Sequence, residues 1–445
     1  MITAIRYKSF KSLIDTMLPL EPLTILIGTN SSGKTNTLEG LNVLASLATK
    51  AEISQTLAGS EIRGDTSSCA PFGKEEFSLG CDFTSPIQVY GEFCRYEIEI
   101  KNYDVPLVAM EQLRFFNYDA ISEYFRNPPI FTTKNRPNIQ IQSIDVQVDN
   151  FSKGGVKPGY AFNARIPTLF QLISTISSDF EKRKYQNQLG IGYHKQITSD
   201  LLNSFSSILI VDPKPDKIRS SPYIKNETTS MDKDGINLSA VLFNLVKNDK
   251  TKDEIEKILR ELPEHQILKL DFETTSRHEV RLALEEQFDN ISRKVPLELL
   301  SDGTIRLLAV LASAFSIPKG GLMVIEEVDN SLHPSKVERL LLLLEEVARR
   351  NKIRLLVTSH NPTLMDAVKP EKLRDVVLCY REKDTGYSKL IRVTDIPDSP
   401  ELLINDSLGS IVSSRRFEKH LKKSKMDYEN ERQQKLSLFK QRMEV

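Results

Sequence analysis

Two stretches of this sequence combine residue types and spacings that do chemistry. The first, Gly28-Thr29-Asn30-Ser31-Ser32-Gly33-Lys34-Thr35, has the pattern G-x-x-x-x-G-K-[ST]. It follows the apolar run Leu23–Ile27 and precedes a helix-like run from Asn36 to Ala48, which is the setting a phosphate-binding loop requires. Glycine lets the backbone turn tightly, so the successive amides of Asn30, Ser31, Ser32, Gly33, Lys34, Thr35 and Asn36 are expected to converge on a nucleotide's phosphates. The positive end of the following helix adds to that field. Lys34 is expected to reach the β/γ-phosphates, and the Thr35 hydroxyl to ligate Mg²⁺. A nucleoside triphosphate, ATP with Mg²⁺, is the expected ligand.

The second stretch is Gly321-Leu322-Met323-Val324-Ile325-Glu326-Glu327, an apolar strand ending in two carboxylates. In isolation it reads as a solvated strand end. Downstream of a phosphate loop it reads as the element that holds Mg²⁺ and activates water. A third apolar strand, Ile353–Thr358, ends at Ser359-His360, where a lone histidine is either a capped structural residue or a sensor of the γ-phosphate. Leu300-Ser301-Asp302-Gly303-Thr304 heads the apolar helix Ile305–Phe315. By itself that motif is weak, and Ser301 as a helix N-cap accounts for it.

Other elements must position these groups. Residues 1–27 read as two or three strands, punctuated by Pro19 and Pro22. A loop is expected over 51–75. Antiparallel strands are expected at Phe77–Phe83, Ile87–Val89, Tyr96–Lys101 and Leu107–Phe116. Prolines and glycines mark 117–165 as irregular or inserted. Helices are predicted over 167–205, Asn237–Val246 and Lys252–Leu262, with Leu169, Leu172, Ile173 and Ile176 as core. Ile208–Val211 reads as a short buried strand stopped at Asp212-Pro213, and Ile267–Phe272 and Glu279–Glu285 as further strands. A helix is expected from Ser335 to Arg350, its Leu340–Leu344 run being core. There is no internal repeat and no long heptad tract.

Composition narrows the possibilities. The chain has 445 residues, 40% of them apolar, enough for a large core and one insertion or for two or three domains. Lys+Arg and Asp+Glu balance at 60 each, so no whole-chain field argues for nucleic acid or an anionic membrane. A local basic patch keeps nucleic acid open as a partner. Cys69, Cys81, Cys94 and Cys379 lack metal-binding spacing and read as reduced thiols. No signal-peptide core and no apolar run near the roughly 20 residues of a bilayer span are present, so a cytoplasmic protein without a membrane partner is expected.

The order of these motifs resembles the ABC-type ATPase superfamily, and within it the RecF/OLD-like branch of AAA-type ATPases, several of which are subunits of bacterial antiphage systems. The residues carrying the resemblance are Gly28–Thr35, Leu300–Thr304, Met323–Glu327, Asp329–Pro334 and Ser359-His360. The resemblance implies an α/β fold: an ABC-type P-loop ATPase head with an antiparallel β lobe and a mostly helical insertion. The expected division is 1–116 and 291–395 for the two halves of the head, 117–290 for the insertion, and 396–445 for a basic tail. It further implies that Glu326 holds Mg²⁺ through water, that Glu327 polarises the attacking water, and that His360 is the switch residue. Ser301 and Gly303 would contact the γ-phosphate of ATP on a second subunit, and Asp329 would sit at the dimer interface. Such composite sites imply an ATP-dependent homo-oligomer.

Departures from the pattern are visible. Glu326 stands where most ABC-type ATPases have Asp, which loosens metal geometry and favours slow hydrolysis. No aromatic stands at the usual adenine-stacking place, and no glutamine loop is assigned. Asp212-Pro213 and Asp234-Gly235-Ile236-Asn237-Leu238 are reminiscent of the same branch without an assigned role. A nuclease domain of the TOPRIM or HNH type is not expected after His360. The leading expectation is therefore an ATPase sensor or scaffold that controls a separately encoded effector, such as a nuclease or toxin, in antiphage defence. The alternatives are a RecF-like repair ATPase clamping duplex DNA and an ATP-binding scaffold that barely hydrolyses. Arg415–Val445 reads as a charged helix, either solvated or docking a partner.

Overall fold

The structure is a computed structural model. It describes residues 1–49, 52–58, 62–85, 93–116, 129–149, 157–182, 188–225, 228–261, 267–288, 291–328 and 334–422. The expected strand at Ile87–Val89, Asp329, expected at a dimer interface, and the chain from 423 to 445 lie outside the described residues.

The chain opens with β1 (Ile2–Phe10), β2 (Leu13–Pro19), β3 (Leu23–Ile27), α1 (Lys34–Thr49) and α2 (Ile53–Leu57). Then come β4 (Glu76–Phe83), β5 (Phe93–Asn102), β6 (Pro106–Phe116), β7 (Pro129–Thr133), β8 (Ser143–Val148) and β9 (Gly159–Asn163). Helices α3 (Thr168–Lys182) and α4 (Gln188–Ser206) lead to β10 (Ile208–Val211), α5 (Pro215–Ser220) and β11 (Ile224–Lys225). Next are α6 (Leu238–Leu245), α7 (Asp249–Glu261), β12 (Ile267–Thr274), β13 (Glu279–Phe288), β14 (Ile291–Pro296) and α8 (Asp302–Ser316). The chain continues through β15 (Leu322–Ile325), α9 (Pro334–Asn351), β16 (Arg354–Ser359), α10 (Pro362–Asp366), β17 (Val376–Arg381) and β18 (Ser388–Arg392). It reaches α11 (Ser399–Asn405) and α12 (Leu408–Ser413) before a last described helical turn around Phe417.

Among the described residues, fourteen strands form one continuous sheet in the order β10-β15-β16-β3-β17-β18-β2-β1-β4-β5-β6-β7-β8-β9. The first five are parallel to one another, and β1, β2 and β4–β9 pair antiparallel. This is an α/β fold with a parallel head and an antiparallel lobe, as the sequence implied. A parallel strand covered on both faces must be apolar throughout, and β3 and β15 are buried along their whole length. Period-two alternation then sorts their side chains into two layers. Leu23, Ile25, Ile27, Met323, Ile325, Leu355 and Val357 pack with α8 and α9. Leu26, Leu322, Val324, Leu356 and Cys379 pack on the other face with α1 and α4.

The stretch 117–290 contributes to three parts of the molecule. Helices α3 to α7 occupy much of it, while β10 is the outer strand of the parallel head. Strands β7–β9 lengthen the antiparallel lobe where the sequence read as irregular. Strand β8 alternates cleanly, with Ile144, Val146 and Val148 buried, whereas β7, opened by Pro129, does not; β7 pairs with β6, β8 with β7 and β9 with β8. A small second sheet joins β11, β12, β13 and β14. The expected loop over 51–75 contains α2 and a 3₁₀ turn at Thr66–Cys69, whose Asp65 carboxylate accepts the Ser68 amide at 3.0 Å. At the other end Phe417 is buried and Leu421 packs on the head, so the charged C-terminal segment begins docked. No helix among the described residues is long and apolar enough to cross a membrane.

Candidate functional site

Four neighbouring parallel strands end at one edge of the sheet, and the chemistry-bearing residues follow each of them. Ligands of open α/β sheets bind at this carboxyl edge. After β3 comes the loop 28–33, which leads directly into α1 at Lys34. Ser31 has φ +64° and Gly33 φ +120°. A Cβ on Gly33 would meet the Ser388 hydroxyl at 2.4 Å, and one on Gly28 would meet the Cys379 carbonyl oxygen at 2.3 Å. Both glycines are thus required where the loop presses on β17 and β18. Lys34 Nζ donates to the carbonyls of Gly28 at 2.6 Å and Thr29 at 3.1 Å, bent back over the loop. Burial holds its pKa below the usual lysine value, with Cys379 and Glu327 pulling the other way. Asn30, Ser31 and Thr35 are exposed, and the Ser32 hydroxyl is buried against the Cys379 thiol.

Asn36 is oriented differently from its neighbours. Its Nδ2 donates to Ser12 Oγ at 2.7 Å, its Oδ1 accepts from Arg63 at 3.1 Å, and Ser12 Oγ lies 2.8 Å from Ser388 Oγ. Buried Glu39 completes this network, accepting from Arg63 Nε at 2.5 Å and pairing with Lys11. The side chain of Asn36 therefore fastens the start of α1 to the β1–β2 turn.

After β15 come Glu326 and Glu327. Register pairs Ile325 with Val357 of β16 and with Val211 of β10. Glu327 adopts φ +47°, its amide donates to Thr358 Oγ1 at 3.0 Å, and its Oε1 lies 3.2 Å from His360 Nδ1. Asn361 caps α10 by accepting the Thr363 amide at 3.0 Å, which fixes the turn carrying His360. The sequence-predicted loop, Glu326, Glu327 and His360 thus share one edge. Ser301 and Gly303 are held elsewhere, at the start of α8. Ser301 Oγ accepts the Thr304 amide at 3.1 Å, the helix cap expected of it, and α5 supplies the other fastening through Arg219.

Sequence reasoning noted Asp212 without giving it a role and passed over Lys214 and Lys233. The parallel register of β10 sets Asp212 beside Glu326. The Asp212 amide donates to the Lys233 carbonyl at 2.8 Å, and Lys214 pairs with the Asp212 carboxylate. Burial raises the Glu326 carboxyl above its ordinary value, Asp212 and Glu327 add to that, and Lys233 and Lys214 oppose it. The signal was present: Ile208–Val211 is a four-residue apolar run ending in an acid, as Leu322–Ile325 is.

Among the described residues no group of three or more His, Cys, Asp or Glu side chains is gathered to cage a metal. Mg²⁺ at a nucleotide keeps waters and takes one or two protein oxygen ligands. The exposed Thr35 hydroxyl and the half-buried Glu326 carboxylate provide oxygen donors of the right kind.

Residues 165–366 match the protein family described as "AAA domain, putative AbiEii toxin, Type IV TA system". The match takes in Asp212, Ser301, Glu326, Glu327 and His360, while the phosphate loop lies before it. A comparison with curated proteins finds no match. Among solved structures, the chain is similar to an SMC head bound to the C-winged helix domain of ScpA, at 14% identity over 88% of this chain and 97% of that one, TM-score 0.49. The SMC head domain from Thermotoga maritima gives 14% identity, 88% and 98% coverage and a TM-score of 0.40. An SMC head domain with an extended coiled coil, bound to the C-terminal domain of ScpA derived from Pyrococcus furiosus, gives 10%, 91%, 98% and 0.40. With a phosphate loop after β3, an acidic strand end on β15 and a match from 165 to 366 to a family described as an AAA domain, this chain is similar to P-loop ATPase domains.

Proposed function

We propose that the chain binds and hydrolyses ATP at this edge and acts as a homo-oligomeric sensor or scaffold controlling a separate effector, in antiphage defence. The observation that supports hydrolysis best is the 3.2 Å contact of Glu327 with His360, on the strand ends beside the phosphate-loop strand. Glu327 takes the proton of the attacking water, and His360 orients that carboxylate and senses the γ-phosphate. Lys34 leaves the carbonyls of Gly28 and Thr29 for the phosphates, and the loop amides with the N-terminus of α1 neutralise their charge. Mg²⁺, held by Thr35 and Glu326, would supply the remaining charge compensation. Ser301 and Gly303, held on α8 apart from the loop, serve the nucleotide of a second copy, and Asp329 belongs to that interface.

The effector and the defence role are supported by the resemblance to antiphage ATPase subunits. The matching family's description includes the words "putative AbiEii toxin, Type IV TA system", which supports a toxic output. The test is the mass of the Glu327→Gln variant by light scattering, with and without ATP·Mg²⁺ and duplex DNA. An ATP-dependent rise in mass is expected. A rise that also requires DNA would replace this reading with a repair ATPase, and a fixed assembly indifferent to ATP would replace it with a passive scaffold.

A further inference from the structure

Helix α5 is only six residues long, yet both of its ends are fastened, each to a different part of the site. At its start, Lys214 donates its amide to the Asp234 carbonyl at 2.9 Å, and Lys217 Nζ lies 3.1 Å from Asp234 Oδ2. The turn that supplies these acceptors contains Gly235 at φ +76°, where a Cβ would press on Ile218 Cδ1 at 3.0 Å. Asn237 stabilises the same turn: its Oδ1 accepts the Asp232 amide at 3.0 Å and its Nδ2 donates to the Ser230 carbonyl at 2.8 Å. This end of α5 follows Asp212, the carboxylate beside Glu326.

At the other end Arg219 Nη2 donates to the Leu300 carbonyl at 2.9 Å and also pairs with the Asp302 carboxylate. Leu300 and Asp302 flank Ser301, the cap of α8. Both contacts come from the one nitrogen Nη2, whose two N–H bonds lie fixed in the guanidinium plane, so one side chain sets both neighbours of Ser301 at once. The rest of the turn is held locally, by Ser301 Oγ to the Thr304 amide at 3.1 Å and hydroxyl at 2.8 Å and by the Leu300 amide to the Leu297 carbonyl at 3.2 Å, so Arg219 is its tie to α5. Ile218 between the two ends is fully buried, which keeps the helix seated against α8.

We propose that α5 is a strut between the carboxylate edge and the Ser301–Gly303 turn, and that Arg219 is the positioning residue that aims this turn at the nucleotide of a second copy. The inference rests on the composite-site reading given above. Movement of the Asp212–Glu326 end is then transmitted along α5 to the surface that meets the partner copy, and assembly reports the state of the carboxylate edge.

The test introduces Arg219→Ala and Arg219→Lys into the Glu327→Gln background. It compares ATP affinity by titration, assembly by light scattering against protein concentration, and amide hydrogen exchange over Leu300–Thr304. Arg219→Ala should leave ATP affinity unaltered, speed exchange in that segment, and raise the concentration needed for assembly roughly ten- to a hundred-fold, the weight of a hydrogen-bonded charge. Arg219→Lys, with one point charge in place of a fork, should fall between. Unaltered exchange, or assembly of Arg219→Ala at the parent's concentration, overturns the strut. Failure of the Glu327→Gln parent itself to assemble with ATP overturns the composite-site reading, and the strut with it.

Discussion

His360 Nδ1 and Glu327 Oε1 stand 3.2 Å apart across the ends of two neighbouring parallel strands. The left-handed backbone at Glu327 and the bond of its amide to Thr358 Oγ1 turn the carboxylate toward β16. Both side chains are close to half exposed, so water reaches the pair. Glu327→Gln keeps the shape but removes the base. Turnover should drop by about 10²–10⁴-fold, the usual weight of a general base, while ATP remains bound. Steady-state phosphate release and nucleotide titration check this, and unaltered release would show that another group activates water.

Lys34 bridges the Gly28 and Thr29 carbonyls, which holds an ammonium ready in the centre of the loop. Lys34→Ala removes the one mobile charge the loop can offer a triphosphate. ATP binding, followed by calorimetry, should fall below detection, with the melting temperature of the nucleotide-free protein little changed. Retained affinity would mean that the loop does not bind phosphates.

The glycines of the loop can be tested by stability alone. At Gly28 an added Cβ would stand 2.3 Å from the backbone oxygen of Cys379, which belongs to β17 and cannot swing away. Gly28→Ala should therefore cost about 1–3 kcal/mol by thermal or urea unfolding. At Gly73, where nothing lies within 4 Å of an added Cβ, the same change at φ +75° should cost less, about 1 kcal/mol of backbone strain.

The lobe has its own pH dependence. Glu111 on β6 is fully buried, and burial pushes its carboxyl up to about 7 from 4.5, against the amides of Leu169 and Thr168 and the Tyr96 hydroxyl. The folded protein then holds a proton that the unfolded chain has released. Stability should fall as pH rises from 4.5 to 7, by up to about 3 kcal/mol, and level off above. Glu111→Gln keeps an acceptor for the start of α3 and should flatten that slope in urea unfolding between about pH 5 and 8. Equal slopes in the two proteins would show that Glu111 titrates as an ordinary carboxylate.

Local chemistry made much of this protein legible in its sequence. Gly28–Thr35 needs its glycines and lysine in one run, so the loop announces itself, and β3, β10, β15 and β16 are apolar because both faces are covered. Helix α9 has a one-sided apolar pattern, whereas α1 and α8 are buried nearly all round and are marked by the motifs that head them. The carboxylates Glu326 and Glu327 were visible because they end such a strand.

What the tertiary structure decided is adjacency. Parallel strands are joined by long crossovers, so sequence order does not say that β10 lies beside β15, and Asp212 could not be set next to Glu326 before that pairing was known. The partners of Arg219 lie 81 and 83 positions away in the chain, and its role follows only once α5 is seated on α8. Strand β7 joins the sheet on the edge of β6, and β8 and β9 follow it in turn, an order that the alternating pattern of β8 does not by itself give. Period and residue type are properties of a segment, whereas register and neighbours are properties of the packed whole.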